Sequence, residues 1–221
     1  MGLTALYGLV HYFDLNPVLF SFSGEFTVDL SLVIGGVNTV LAFALFFSTG
    51  MIYASIKFLQ EWATPLTVVN YTLLGSASGF ALATAFAAYV GSELVTFYSA
   101  WAIIITLAAF ITRSASLFRN ARIKYRSSLR SAIGIRHARI EQKSRGFMAG
   151  SFNTREYFHG ASAQSFRSVK WVFLVLVFPV PVALISTGLG SGAFPLLALA
   201  FAVQYTGLLA ERWFFFAQAN H

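Results

Sequence analysis

The sequence contains no cysteine, which excludes disulfides, thiolate zinc sites and iron–sulfur ligation by this chain. Charge is scarce as well: Asp, Glu, Lys and Arg make up 10% of the 221 residues, against about 25% in soluble domains. Met1 to Phe13 lacks the basic n-region and the small-residue cleavage site of a secretory signal. The alternating strands of about ten residues that build an outer-membrane barrel are missing too. There are four histidines, and His11, His137, His159 and His221 are not spaced to bracket a buried haem between facing helices. No haem is expected. No nucleophile–base arrangement, phosphate loop or metal-ligand cluster occurs, so catalysis is expected to belong to partners.

What the chain has in place of charge is apolar length. It is 57% hydrophobic and carries 24 Phe. Apolar runs of roughly 18 or more residues read as membrane spans, because about 20 residues at 1.5 Å rise cross the hydrocarbon core. The expected fold is all-α: a polytopic membrane helix bundle with about five full spans plus a partial N-terminal helix, organised as a single membrane domain over residues 1–221. The spans fall near Leu30 to Tyr53, Leu66 to Val90, Leu94 to Thr112, Trp171 to Thr187 and Phe194 to Phe216. Gly2 to Phe13 is apolar but too short to span, and it ends at an Asp14-Leu15-Asn16-Pro17 turn signal. It reads as the tail of a longer helix or as a half-helix shielded by neighbours, since backbone amides are not left bare in lipid.

Thirteen of the fifteen basic residues lie between Arg113 and Lys170, a basic loop over 113–170 between the third and fourth spans. The positive-inside rule places this loop in the cytoplasm. Strict alternation then gathers Lys57, Glu61, Glu211 and Arg212 on the same face and leaves only acids, Asp14, Glu25, Asp29 and Glu93, on the other. The expected location is therefore a bacterial inner (cytoplasmic) membrane. Within the loop, Arg119, Arg122, Arg126 and Arg130 form one helical stripe, beside an apolar stripe of Phe118, Ala121, Tyr125, Leu129 and Ile133. Such a helix lies flat on anionic lipid or docks a cytoplasmic partner. Nucleic acid is not expected as a target. Inside the spans, Ser31, Gly35 and Thr39, and the Gly75/Gly79 pair, have the small-residue spacing that lets helices approach in lipid. Pro179 and Pro181 predict a kink, with freed carbonyls that could line a cavity.

The segment Gly146-Phe147-Met148-Ala149-Gly150-Ser151-Phe152-Asn153-Thr154-Arg155-Glu156-Tyr157-Phe158-His159-Gly160 is aromatic and glycine-rich, unlike a solvated charge run. It resembles a signature of the DmsC-like membrane anchor subunits of molybdopterin oxidoreductases, those of the dimethyl sulfoxide reductase type including the sulfite-oxidising branch. Ser48-Thr49-Gly50-Met51-Ile52-Tyr53-Ala54-Ser55, followed by Trp62-Ala63-Thr64-Pro65-Leu66-Thr67, is similar to the same family, as is Gly207-Leu208-Leu209-Ala210-Glu211-Arg212-Trp213. Nothing before Leu30 matches the family's N-terminal segment associated with quinone, so the chain resembles such an anchor lacking its N-terminal portion. The resemblance implies a three-subunit complex: a catalytic subunit with a molybdenum cofactor, an iron–sulfur electron-transfer subunit, and this chain as a non-catalytic anchor exchanging electrons with membrane quinone or quinol. A scaffold or assembly protein and a small-molecule transporter are the alternatives.

Quinone chemistry moves protons with electrons, so an ionisable group at the membrane edge is the feature to seek. Glu211 is the leading candidate, with Arg212 beside it, and the bland alternative is an interfacial charge that snorkels to water. Tyr53, Lys57, Glu61 and Trp62 share that face and complete the quinone-binding candidates; Lys57 and Glu61 are also spaced to pair with each other. Partner docking is expected at Arg145, Phe147, Phe152, Asn153, Arg155, Tyr157, Phe158 and His159, where exposed aromatics need something to pack against.

Overall fold

A computed structural model describes residues 2–22, 26–124, 134 and 162–219. The docking candidates between Arg145 and His159 lie outside the described residues. The chain forms two compact units, Met1–Thr49 and Gly50–His221.

In the first unit, α1 (Gly2–Tyr12) is followed by an antiparallel hairpin of β1 (Val18–Phe22) and β2 (Phe26–Asp29). The hairpin is not foreshadowed by the apolar pattern. It leads into α2 (Leu30–Ala54), whose last turn belongs to the second unit. Asp29 caps this helix: its carboxylate accepts from the Leu32 backbone N–H at 2.7 Å, from Ser31 Oγ at 3.0 Å and from Asn16 Nδ2 at 3.0 Å. Those donors, the Leu32 amide first, hold the Asp29 carboxyl below its ordinary value. Asn16 also accepts from the Ser31 amide at 2.9 Å, so the predicted turn residue ties the chain entering the hairpin to the one leaving it. Gly35 admits the Tyr7 ring, which sits 3.4 Å from where a Cβ would be. Of the expected small-residue stripe, Gly35 thus serves close approach.

The second unit is a helix bundle. Its elements are α3 (Pro65–Tyr89), α4 (Val95–Asn120), α5 (Ala163–Val177), α6 (Pro179–Ser191) and α7 (Pro195–Gln218). The five expected spans fall on helices, the fourth on the pair α5 and α6, and α7 is not among the segments apolar enough to count as a span. Four segments, Leu30–Ala54, Pro65–Tyr89, Val95–Asn120 and Gln164–Ser191, are long and apolar enough to cross a membrane. The protein is an all-α membrane helix bundle, with the short hairpin as its strand content among the described residues.

Three helices bury residues on a strict three-four spacing. The seam of α3 is Thr67, Asn70, Leu74, Ala77, Ala81, Thr84 and Ala88. That of α4 is Val95, Ser99, Ala102, Thr106, Ala109, Arg113 and Ser116, and that of α7 is Leu197, Ala200, Gln204, Gly207, Glu211 and Phe214. This is the heptad phase of left-handed packing, in which layers of side chains meet knob into hole. Helix α3 packs against α4 and α7, α7 against α5 and α6, and α6 against α4. α4 and α7 therefore face one another across the core. Two polar links join them one heptad apart, Gln204 Nε2 to Thr106 Oγ1 at 3.1 Å and Arg113 to Glu211.

The expected kink is a break. Phe178 leaves helical geometry (φ −112°, ψ −77°) and separates α5 from α6. Pro181 has no N–H to offer the Val177 carbonyl, and Gln204 Nε2 supplies the missing donor at 3.2 Å. The carbonyl freed by Pro181 thus meets a side chain. Gly207 on α7 lies against this point; a Cβ there would stand 2.8 Å from Leu176 Cβ. Of the Gly75/Gly79 pair, Gly79 faces outward with nothing within 4 Å among the described residues, and the buried seam runs through Ala77 and Ala81.

Candidate functional site

At one end of the bundle α3 begins and α4 and α7 finish. Two structures built from different parts of the sequence meet there. The first is ionic. Glu211 is fully buried on the α7 seam and its two oxygens are divided between two guanidiniums. Arg113 Nη2 reaches Oε1 at 2.7 Å, and Arg212 donates through Nε to Oε2 at 2.6 Å, with its Nη2 on the same oxygen. Arg113 is 2% exposed; Arg212, with 28% of its side chain exposed, is the member open to the surroundings. The buried carboxylate is thus shared between one buried and one partly exposed cation, and the buried pair is a costly arrangement that survives only with good geometry.

The second structure is aromatic. Tyr53 at the end of α2, Trp62 in the following loop, Tyr71 on α3 and Phe215 and Phe216 on α7 pack ring to ring. Trp62 stacks on Phe215 with centroids 5.1 Å apart and planes 8° from parallel, and Tyr53 stacks on Tyr71 at 5.5 Å. The Trp62 indole donates to the Phe215 carbonyl at 3.1 Å, and the Trp62 carbonyl accepts from Thr67 Oγ1 at 2.7 Å. These bonds hold the loop before α3 against the last turns of α7. Arg119 adds a second tether by donating to the Gln60 carbonyl at 3.0 Å.

Arg212 joins the two structures. Its guanidinium lies 4.0 Å over the Tyr71 ring and 5.0 Å from Phe215, where the ring quadrupoles attract it. Arg113 similarly approaches Phe173 at 5.7 Å. The assembly can present a charged, planar donor group at the rim of an aromatic wall, backed by a buried carboxylate that fixes its orientation.

Four of the six residues expected from the sequence, Tyr53, Trp62, Glu211 and Arg212, come together here. Glu61 is buried in the same loop, at 3% exposure, while Lys57 is exposed. The ion pair expected between Lys57 and Glu61 is not formed among the described residues. Sequence reasoning missed Arg113, Tyr71 and Asn70. Arg113 was placed at the head of the basic loop because a first charge after an apolar run reads as the end of a span. It instead belongs to α4, which continues to Asn120. Its phase gave a usable signal, since Ser99, Thr106 and Arg113 recur every seventh residue. Tyr71 and Asn70 fall in the apolar body of a span and had no such mark.

No family model matches the sequence, and no solved structure matches it. It is 51% identical to a sulfite dehydrogenase subunit of Allochromatium vinosum over 221 residues, all of this chain and 68% of that protein. The match runs the full length of the chain and so spans every element of the site. The chain accordingly belongs to the family of that sulfite dehydrogenase subunit, and it brings to that family a bundle with four segments long and apolar enough to cross a membrane.

Proposed function

We propose that this protein is a DmsC-like membrane anchor that holds an iron–sulfur subunit and a molybdopterin catalytic subunit at the inner membrane and exchanges their electrons with quinone. The observation that carries this reading is the whole-chain likeness to a subunit of sulfite dehydrogenase, joined to a helical bundle with no catalytic constellation in its sequence. The ionic and aromatic end of the bundle is the quinone-binding region in this reading. Arg212 offers N–H donors to a head-group oxygen, Tyr53 and Trp62 supply flat apolar surface, and Glu211 holds both arginines in place. Glu61 and Lys57 form the adjoining loop, on the side where iron–sulfur electrons arrive. The basic loop and its aromatic segment from Arg145 to His159 dock the soluble subunits on the cytoplasmic side. Molybdenum cofactor and iron–sulfur clusters reside in the partners, and this chain carries no haem.

The reading is tested in membranes that contain the complex with and without this chain. Sulfite oxidation by a soluble artificial acceptor should persist without the chain, while sulfite-driven reduction of a quinone analogue should disappear. Equal quinone reduction in both membranes would refute it. Purification of the tagged chain should bring molybdenum and iron–sulfur absorbance with it, and a monomer lacking both removes the anchor role. The absence of native cysteine makes orientation simple to check: Arg136→Cys should react with an impermeant thiol reagent from the cytoplasmic side, and reaction from the periplasmic side alone reverses the topology.

A further inference from the structure

Asn70 lies on the α3 seam at 3% exposure, and neither its amide oxygen nor its amide nitrogen has a hydrogen-bond partner among the described residues. A primary amide left in that state inside a bundle is costly, and the surrounding lipid offers no water to relieve it. Its level in the bundle is set by the helix register. Leu74 and Ala109 share one core cluster, and α3 and α4 are antiparallel neighbours. One turn from each, toward the end where α4 finishes, are Asn70 and Arg113. Asn70 is therefore level with the Arg113–Glu211 pair. Arg113 Nε is buried and also without a hydrogen-bond partner among the described residues. The other unpartnered seam groups, Ser99 Oγ and the Gln204 Oε1 atom, are single atoms on layers farther along the bundle.

Three unmet polar atoms thus gather on one layer: the acceptor Oδ1 and donor Nδ2 of Asn70, and the donor Nε of Arg113. A carboxylate accepts only and a guanidinium donates only, whereas a primary amide does both at equal reach. That chemistry suits an oxygen which alternates between carbonyl and hydroxyl. Resting on the quinone reading above, we propose that Asn70 is a ligand to one head-group oxygen. It donates through Nδ2 to the carbonyl of the oxidised ring and, after a half-turn of the amide, accepts through Oδ1 from the hydroxyl of the reduced ring. Arg113 Nε lies on the same layer as a second donor, and Glu211 positions Arg113.

The test uses the detergent-purified complex, a fluorescent alkyl-hydroxyquinoline N-oxide as the quinone-site probe, and thermal melting without probe. Asn70→Leu keeps the branched shape and removes both polar atoms; Asn70→Ala is read beside it to control for the larger volume of leucine. Both variants should bind the probe about tenfold more weakly or worse, the scale of one or two buried hydrogen bonds. Asn70→Leu should melt at or above the wild-type temperature, because an unmet buried polar group has been removed. A wild-type complex that shows no saturable binding overturns the quinone reading and this assignment with it. Wild-type binding with both variants within about twofold overturns the assignment alone and leaves an ordered water as the amide's partner. Lower melting temperatures in both variants mark a structural hydrogen bond and overturn it as well.

Discussion

Neutralising Glu211 is the most informative perturbation of the bundle itself. The Arg113–Glu211 contact is 2.7 Å long, with side chains 3% and 0% exposed. At an effective dielectric of about 20 the gross attraction at that distance is about 6 kcal/mol, most of it offset by the desolvation of both ions. The net worth of the pair is therefore small. Removing one partner is a different matter, because Arg113 would then remain buried as an uncompensated cation, at about 3–5 kcal/mol. Arg212 is partly exposed and can turn outward, so the cost falls mainly on Arg113. Glu211→Gln should lower the melting temperature of the purified protein by about 10 °C, taking roughly 2–4 °C per kcal/mol for a chain of this size. Arg113→Met combined with Glu211→Leu should recover most of the loss, since the apolar pair leaves no buried charge. The assay is thermal denaturation in detergent, with Arg113→Met and Glu211→Leu alone completing the double-mutant cycle. If Glu211→Gln melts within about 2 °C of wild type, or if the double variant is worse than either single one, the account of a seam charge held by its partner is refuted.

Other outcomes follow from packing and from the N-terminal cap. Gly207→Ala places a Cβ against Leu176 and Val177 and should cost about 1–3 kcal/mol through overpacking, whereas Gly79→Ala enters open space and should be neutral or slightly stabilising through helix propensity; paired melting curves separate them. The lowered pKa of Asp29 means that the cap is at full strength above the ordinary value of 3.8 and is lost as pH falls through the lower folded value. Asp29→Asn should remove that part of the acid sensitivity, and an unchanged acid limb in a pH titration of α2 helicity would show that the cap does not contribute.

The helices were legible because an apolar run of span length has few other meanings. Their ends were less so. Arg113 marked the end of the third span on charge alone, while the seven-residue recurrence of Ser99, Thr106 and Arg113 shows that the buried face continues past it. The proline break was visible in the sequence, but not its remedy, since Gln204 reaches Val177 from 27 residues away. At Gly79 the small-residue spacing meets open space for a physical reason: small residues permit close approach without requiring it, and in α3 the alanines occupy the seam. At the site, the four residues that converged were found by side of the membrane and residue type. Asn70 and Tyr71 were not, because an isolated polar or aromatic residue within a span carries no sign of where its helix will face.

The 98-residue separation that divides Thr106 from Gln204 also divides Arg113 from Glu211, and this gives the bundle an order of assembly. At about 5–20 residues per second of synthesis, α4 exists for roughly 5–20 seconds before α7 follows it. During that interval Arg113 lacks its Glu211 partner, and an arginine near a helix end in that state is expected to keep its guanidinium at the headgroups. α4 therefore begins shallow and takes its final depth only when α7 brings Glu211 past it. On this account burial of the arginine comes late in insertion, and a chain that stops before α7 should leave α4 shallower than it sits in the complete bundle.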